Sequence, residues 1–106
     1  MVRAEDFRAA VRSGRRVGTQ GAVVYVRSRA GAEPTRFGFI VSKSVGNAVS
    51  RNLVRRRLKA IAFDLLSDPG EAADVVVRAL PGIDQISWAT LQGDISDAVR
   101  RGVNAR

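Results

Sequence analysis

Residues 43–59 read KSVGNAVSRNLVRRRLK, and here the hydrophobic spacing of the chain changes from that of a strand to that of a helix. From position 54 onward, apolar side chains recur three and four residues apart, which is typical of a buried helix face. They are Val54, Leu58, Ile61, Ala62 and Leu65. The pattern predicts a long helix over residues 47–66, with Gly46 permitting a positive φ before it and Asn47 as a possible cap.

Segments rich in β-branched and aromatic residues lie on both sides of this helix and predict strands. They are residues 22–27 (AVVYVR), 36–42 (RFGFIVS) and 74–80 (DVVVRAL), and a short strand is expected near residues 16–19. Alternation along the second of these segments places three apolar residues on one face. They are Phe37, Phe39 and Val41.

Two further helices complete the predicted order. Phe7, Ala10 and Val11 have helical spacing and precede Gly14, which would end a short first helix. Ser87 is a good N-cap for a last helix whose apolar residues recur every four positions. They are Leu91, Ile95, Val99 and Val103. The order α-β-β-β-α-β-α predicts one α+β domain over residues 1–106, a sandwich with helices packed on a four-stranded sheet.

Charge is distributed unevenly along the 106 residues, whose net charge is +8. Residues 1–63 carry 14 basic and 3 acidic side chains, whereas residues 64–106 carry 4 basic and 7 acidic ones. Positive charge concentrated on part of a small domain indicates a polyanionic partner. A coding bias towards arginine is the alternative. Membrane binding is less favoured because no aromatic-rich amphipathic helix accompanies the basic residues.

The predicted central helix concentrates basic and polar side chains on one side. At 100° per residue, five of them occupy an arc of roughly 140°. They are Arg51, Asn52, Arg55, Arg56 and Lys59, which we call the basic stripe. Like charges four residues apart disfavour an isolated helix, so the stripe indicates an external polyanion such as phosphate. Lys43 and the helix N-terminus at Asn47 offer a further phosphate site. The alternative is a solvated charged face.

The stretch FGFIVSKSVGNAVSRNLVRRRLK resembles the signature of the bacterial ribonuclease P protein family, in which a strand ending in V-S-K precedes G-N-A, R-N and a basic helix. The resemblance extends over nearly the whole chain. Residues 5–17 (EDFRAAVRSGRRV) are similar to the family's first helix and turn, residues 23–26 (VVYV) to its following strand, and residues 74–82 (DVVVRALPG) to its last strand.

The resemblance implies a left-handed strand-helix-strand crossover, against the usual right-handed preference. It also implies two RNA-binding surfaces on this chain. The surface for the catalytic RNA would comprise Lys43, Ser44, Gly46, Asn47, Arg51, Asn52, Arg55, Arg56 and Lys59. A cleft for the single-stranded 5′ leader of precursor tRNA would be lined by Phe7, Val11, Tyr25 and Phe39. Unpaired bases stack on aromatic rings, although ordinary core packing is the alternative for Phe7 and Phe39.

Three positions depart from the family pattern, and one of them is Ser44, which often corresponds to a basic residue. Leu53 stands where the family usually has arginine, and Val11 where an aromatic residue is common. One phosphate contact and part of the leader stacking are therefore in doubt.

The resemblance implies a subunit of an endonuclease whose chemistry is carried by RNA, with Mg²⁺ in the holoenzyme and no catalytic or metal-ligating residue in the protein. The composition agrees, because the chain has no His and no Cys and its carboxylates are scattered. We expect a monomer in a 1:1 ribonucleoprotein. The lack of a secretory signal or an apolar spanning segment favours a cytoplasmic protein. A generic RNA-binding module and a metal-dependent nuclease acting alone remain alternatives.

Overall fold

The computed structural model describes residues 4–28, 35–66 and 73–104. Within these ranges the chain forms three α-helices, four strands and two single-turn 3-10 helices. The helices are α1 (Ala4–Ser13), α2 (Ala48–Leu66) and α3 (Trp88–Asn104), and the strands are β1 (Arg15–Gly18), β2 (Ala22–Ser28), β3 (Arg36–Ile40) and β4 (Ala73–Ala79). The 3-10 turns are Lys43–Val45 and Ile83–Gln85. The α+β order predicted from the sequence is confirmed.

The four strands form one mixed sheet in the order β1-β2-β4-β3. The pairs β1–β2 and β2–β4 are antiparallel, whereas β3 and β4 are parallel. Two parallel strands that are consecutive in sequence, such as β3 and β4, need a crossover connection, and α2 lies in this connection. The left hand of this crossover stays a prediction. Within the described residues β3 pairs on one side only, which makes it an edge strand of the sheet.

Helices cover both faces of the sheet. On one face, α2 and α3 bury the main core, which includes Leu58, Ile61, Leu91 and Ile95 against Val24, Val75 and Val77. On the other face, α1 packs Ala10 against Val23, Tyr25 and Val76. Because side chains alternate between the two faces along β2 and β4, these two strands contribute residues to both cores. The sheet is therefore buried from two sides, and among the described helices only α1 covers the smaller side.

Local chemistry sets the ends of the helices. The Gly14 N–H donates to the Ala10 carbonyl at 2.8 Å, where α1 ends. The Thr90 N–H donates to the Ser87 hydroxyl at 3.3 Å, so Ser87 caps α3 as predicted. β3 ends at Ile40, two residues earlier than predicted. The chain turns there because the 3-10 turn that follows buries Val45 and places its N–H 3.1 Å from the Ser42 carbonyl.

None of the helices in the described ranges combines the length and the apolar character that crossing a bilayer requires.

Candidate nucleic-acid interface

The N-terminus of α2 is built by Gly46 and Asn47. Gly46 has φ 157° and ψ −166°, a backbone conformation that is essentially restricted to glycine. The Asn47 side-chain oxygen accepts from the Ser50 N–H at 2.9 Å and caps the helix, as the sequence predicts. Lys43 and Ser44 lie exposed on the preceding 3-10 turn, where the Ser44 hydroxyl is 2.7 Å from that of Ser42. The turn and cap thus present Lys43 beside the start of α2.

The helix presents the basic stripe as the spacing predicts. Asn52, Arg55, Arg56 and Lys59 are exposed and Arg51 is half-buried. The opposite side of the helix is fully buried in the main core, at Val54, Leu58 and Ile61. Because the buried side fixes the rotation of α2, the stripe must face solvent. Contact between these side chains and RNA stays a prediction.

The positive charge of the stripe is not neutralised within the described residues. The ion pairs formed there join Arg36 to Asp6 and Asp74, and Arg101 to Asp97, and none involves α2. Arg55 donates only to uncharged oxygens, Asn52 Oδ1 and the Val41 carbonyl, both at 3.4 Å, which is long for a hydrogen bond. The stripe therefore retains the capacity to bind an anion.

Arg51 has a separate property. Its Nε atom is buried and has no hydrogen-bond partner in the part of the chain that the structure describes. Buried polar atoms usually find a partner, and leaving one unpaired costs free energy.

A groove runs along α1 on the other face of the sheet. It is lined by Phe7, Arg8, Val11, Arg12 and Ile40 and encloses about 340 Å³. Val11 is 40% exposed, and both arginines are exposed. The sequence prediction included Phe7 and Val11 but missed Arg8, Arg12 and Ile40. The sequence contains a signal for the two arginines, because each directly follows an apolar groove residue: Arg8 follows Phe7, and Arg12 follows Val11. Each arginine is therefore expected about 100° round the helix from an apolar groove residue.

Two further arginines lie on the sheet face beneath α1. Arg16 is paired with Tyr25 across β1 and β2, and Arg78 with Ile40 across β4 and β3. Residues opposite each other in a sheet share a face, and both arginines are exposed. Arg78 lies beside the groove residue Ile40, whereas Arg16 lies on β1, at the opposite edge of the sheet. With Arg8 and Arg12, three cationic side chains are thus placed at the apolar groove, which suits a single-stranded nucleic acid.

Two residues predicted to line the cleft lie elsewhere. Tyr25 is on the correct face but only 5% exposed, packed in the core beneath α1 rather than in the groove. Phe39 lies on the opposite face, against the main core, so grouping it with Phe7 was wrong. The reason is strand alternation, because Phe39 shares its face with Phe37 and Val41, and its neighbours Gly38 and Ile40 face α1.

An ionic cluster ties α1 to the sheet. Arg36 Nε and Nη2 each donate at 2.9 Å to one oxygen of Asp74, and Nη2 also donates to Asp6 Oδ2 at 3.1 Å. Asp74 is completely buried. The hydrogen bond to Asp74 raises the pKa of Arg36 above its ordinary value, so the guanidinium stays charged. Because Asp6 belongs to α1, the cluster helps to position the groove.

The groove and the basic stripe each have a contact at the C-terminal end of β3. Ile40 lines the groove, and the carbonyl of the next residue, Val41, accepts from Arg55 of the stripe. An RNA lying along this edge could therefore contact both surfaces.

Within the described ranges, no three acidic side chains converge into a group that could hold a metal ion.

Comparisons with known proteins agree on one family. The Ribonuclease P family model matches residues 1–102. The ribonuclease P protein component of Clavibacter michiganensis is 51% identical over 98 residues, covering 92% of this chain and 87% of that protein. The Streptomyces bikiniensis protein of the same name is 48% identical, covering 93% of this chain and 87% of its own length.

Solved structures show the same fold. The RNase P protein of Staphylococcus aureus superposes with a TM-score of 0.81 at 24% identity, covering 98% of this chain and 96% of that one. The Thermotoga maritima protein gives a TM-score of 0.78 at 21% identity, with 91% and 90% covered.

Proposed function

Since the chain belongs to the ribonuclease P protein family, we propose that it binds the enzyme's catalytic RNA through the basic stripe and the 5′ leader of precursor tRNA through the α1 groove. Family membership makes it a subunit of a ribonucleoprotein endoribonuclease that acts in tRNA processing, with the ribonuclease P RNA as its partner. The proposal assigns a separate surface to each RNA.

The observation that carries the proposal is the uncompensated charge of α2. Arg55, Arg56 and Lys59 face solvent together, and within the described residues no carboxylate pairs with them. Guanidinium groups match the geometry of phosphate oxygens and bind them bidentately. Releasing counterions from a structured RNA would make this contact strong and salt-dependent. Lys43, Ser44, Gly46 and Asn47 extend the same surface to the start of the helix.

The α1 groove has the chemistry of a site for unpaired nucleotides. Phe7, Val11 and Ile40 supply apolar surface, while Arg8 and Arg12 supply positive charge for the sugar-phosphate backbone. Such a site reads no base edges in particular and therefore suits leaders of varied sequence. Its open shape accommodates a strand better than a folded helix.

The proposal leaves the hydrolytic chemistry to the RNA. The chain has no His or Cys to act as a base or nucleophile. Its described carboxylates do not converge into a site fit for Mg²⁺, so we assign that ion to the holoenzyme and route no step through this protein. The protein would bind and orient the substrate and reduce repulsion between the two RNAs. We further propose that it acts as a monomer in a 1:1 complex in the cytoplasm.

Reconstitution tests this proposal. The purified protein is mixed with a bacterial ribonuclease P RNA at low Mg²⁺, and cleavage of precursor tRNAs with leaders of increasing length is measured. We expect no cleavage without the RNA, cleavage with it, and affinity that rises with leader length until the groove is filled. Cleavage by the protein alone would instead indicate a metal-dependent nuclease. RNA binding that ignores leader length would indicate a generic RNA-binding module.

A further inference from the structure

Phe63 is an aromatic residue that the fold leaves in solvent. It lies in the fifth turn of α2 and its side chain is 73% exposed, although its neighbours Ile61 and Ala62 are buried in the core. Single exposed apolar residues are common and need no explanation in themselves. Its position relative to the charged residues is what makes Phe63 informative.

The ring belongs to the same side of the helix as the basic stripe. Counting 100° per residue, Phe63 falls about 120° from Arg51, between Lys59 and Arg56. Lys59 precedes it by four residues, so their Cβ atoms are expected to be about 5–6 Å apart. Arg56 lies two turns earlier, roughly 10 Å along the axis. Phe63 therefore extends the stripe at its C-terminal end with an aromatic surface.

Among the described residues, the charged side chains on this side of α2 are all basic. The next residue, Asp64, projects about 100° further round the helix, and its carboxylate accepts from Gln92 Nε2 of α3 at 3.2 Å. Within the described residues, neither Arg56 nor Lys59 forms an ion pair. The charge complements a polyanion rather than a second copy of this basic face.

An exposed ring beside unpaired cations is the arrangement that single-stranded nucleic acids use, because the base stacks while the phosphate meets the cation. We propose that Phe63 is a stacking site for an unpaired base of the RNA bound by α2, with adjacent phosphates held by Lys59 and Arg56. The proposal rests on the proposed function of the stripe and adds to it a preference for unpaired nucleotides at one end.

Three substitutions separate stacking from simple hydrophobic contact. Phe63→Ala and Phe63→Leu remove the ring, whereas Phe63→Tyr keeps it. Each substitution is made in a parent protein that carries Arg8→Ala and Arg12→Ala, because the α1 groove would otherwise bind single strands as well; this parent is the unchanged protein of the series. Binding is measured by fluorescence anisotropy at several salt concentrations, with a single-stranded oligouridylate and with a blunt RNA duplex of equal phosphate number. We expect the Ala and Leu variants to bind the oligouridylate about tenfold more weakly at every salt concentration, and the Tyr variant to bind as the unchanged protein does. Duplex binding and the salt slope should not change.

Two results would overturn the inference. One is equal weakening of single-stranded and duplex binding by Phe63→Leu, or no weakening of either. The other is a concentration-dependent dimer of the unchanged protein that Phe63→Leu abolishes, since the ring would then contact a second copy.

The binding of an Arg56→Ala variant is measured alongside as a control. If it lowers the salt slope while Phe63→Leu has no effect, the stacking site fails and the proposed function of the stripe stands; if neither variant has an effect, both fail. A melting temperature unchanged by Phe63→Leu shows that the variant is folded.

Discussion

The ring of Phe7 lies directly against the backbone of Gly38, so that a Cβ added at Gly38 would come within 2.9 Å of three ring atoms. Real Cβ atoms do not approach other heavy atoms so closely, and only glycine fits beneath this ring. The contact joins α1 to the edge strand at the point where the groove begins. It explains why a glycine interrupts the apolar run of β3.

Gly38→Ala should impair leader binding without affecting the contact with the catalytic RNA. The new methyl group forces Phe7 out of its place, and the groove loses its aromatic wall. We expect the holoenzyme's preference for precursor tRNA over leaderless tRNA to fall by at least about fivefold, the loss of one stacked base. This preference is measured as the ratio of the dissociation constants of leaderless tRNA and precursor tRNA.

Gly18→Ala is the matched control, because a Cβ added at this other strand glycine meets nothing within 4 Å. Equal effects of the two variants on the ratio would show that the Phe7 contact does not shape a leader site.

Of the two ion pairs that Arg36 forms, the pair with Asp74 should stabilise the fold more than the pair with Asp6. Arg36→Ala leaves the completely buried Asp74 without its bidentate cation, and removing one member of a buried pair is strongly destabilising. We expect a fall in Tm of about 10 °C or more. Asp6→Ala removes a single contact from a partly exposed carboxylate and should lower Tm by no more than about 5 °C. The Tm of each variant is measured by thermal unfolding monitored by circular dichroism. Similar decreases in Tm for the two variants would refute the unequal roles.

Leu53→Arg should strengthen binding of the catalytic RNA. Leu53 is 39% exposed on α2 and lies one turn after Val49, at the border of the basic stripe. An arginine can keep its aliphatic stem against the helix while the guanidinium reaches solvent. We expect tighter binding and a salt slope steeper by about 0.7 to 0.9, the value of one added phosphate contact. Leu53→Gln controls for polarity, and an unchanged slope in the arginine variant would place this position outside the interface.

Much of α2 could be predicted from the sequence because its information is local. The spacing of Val54 and Leu58 sets the buried side, and the stripe follows from it. The cap at Asn47 is likewise a contact between residues three positions apart. These features depend on helix geometry alone.

The groove was harder to predict because it depends on contacts between distant segments. Alternation placed Phe37 and Phe39 together, but nothing local indicates which face of the sheet α1 covers. The pairing of Arg36 with Asp74 joins residues 38 positions apart and arises only once β3 and β4 lie side by side. The family resemblance placed Phe39 in the cleft by its position, whereas Ile40 has the orientation that the groove requires.

The salt dependence of catalytic-RNA binding tests most directly whether the basic stripe binds phosphates. It is measured for the unchanged protein, Arg55→Ala and Arg56→Ala, with Arg100→Ala on the exposed side of α3 as a control of equal charge change. We expect each stripe variant to lower the slope of log affinity against log salt by about 0.7 to 0.9, and the control to leave it unchanged. Identical slopes for all four proteins would contradict the account.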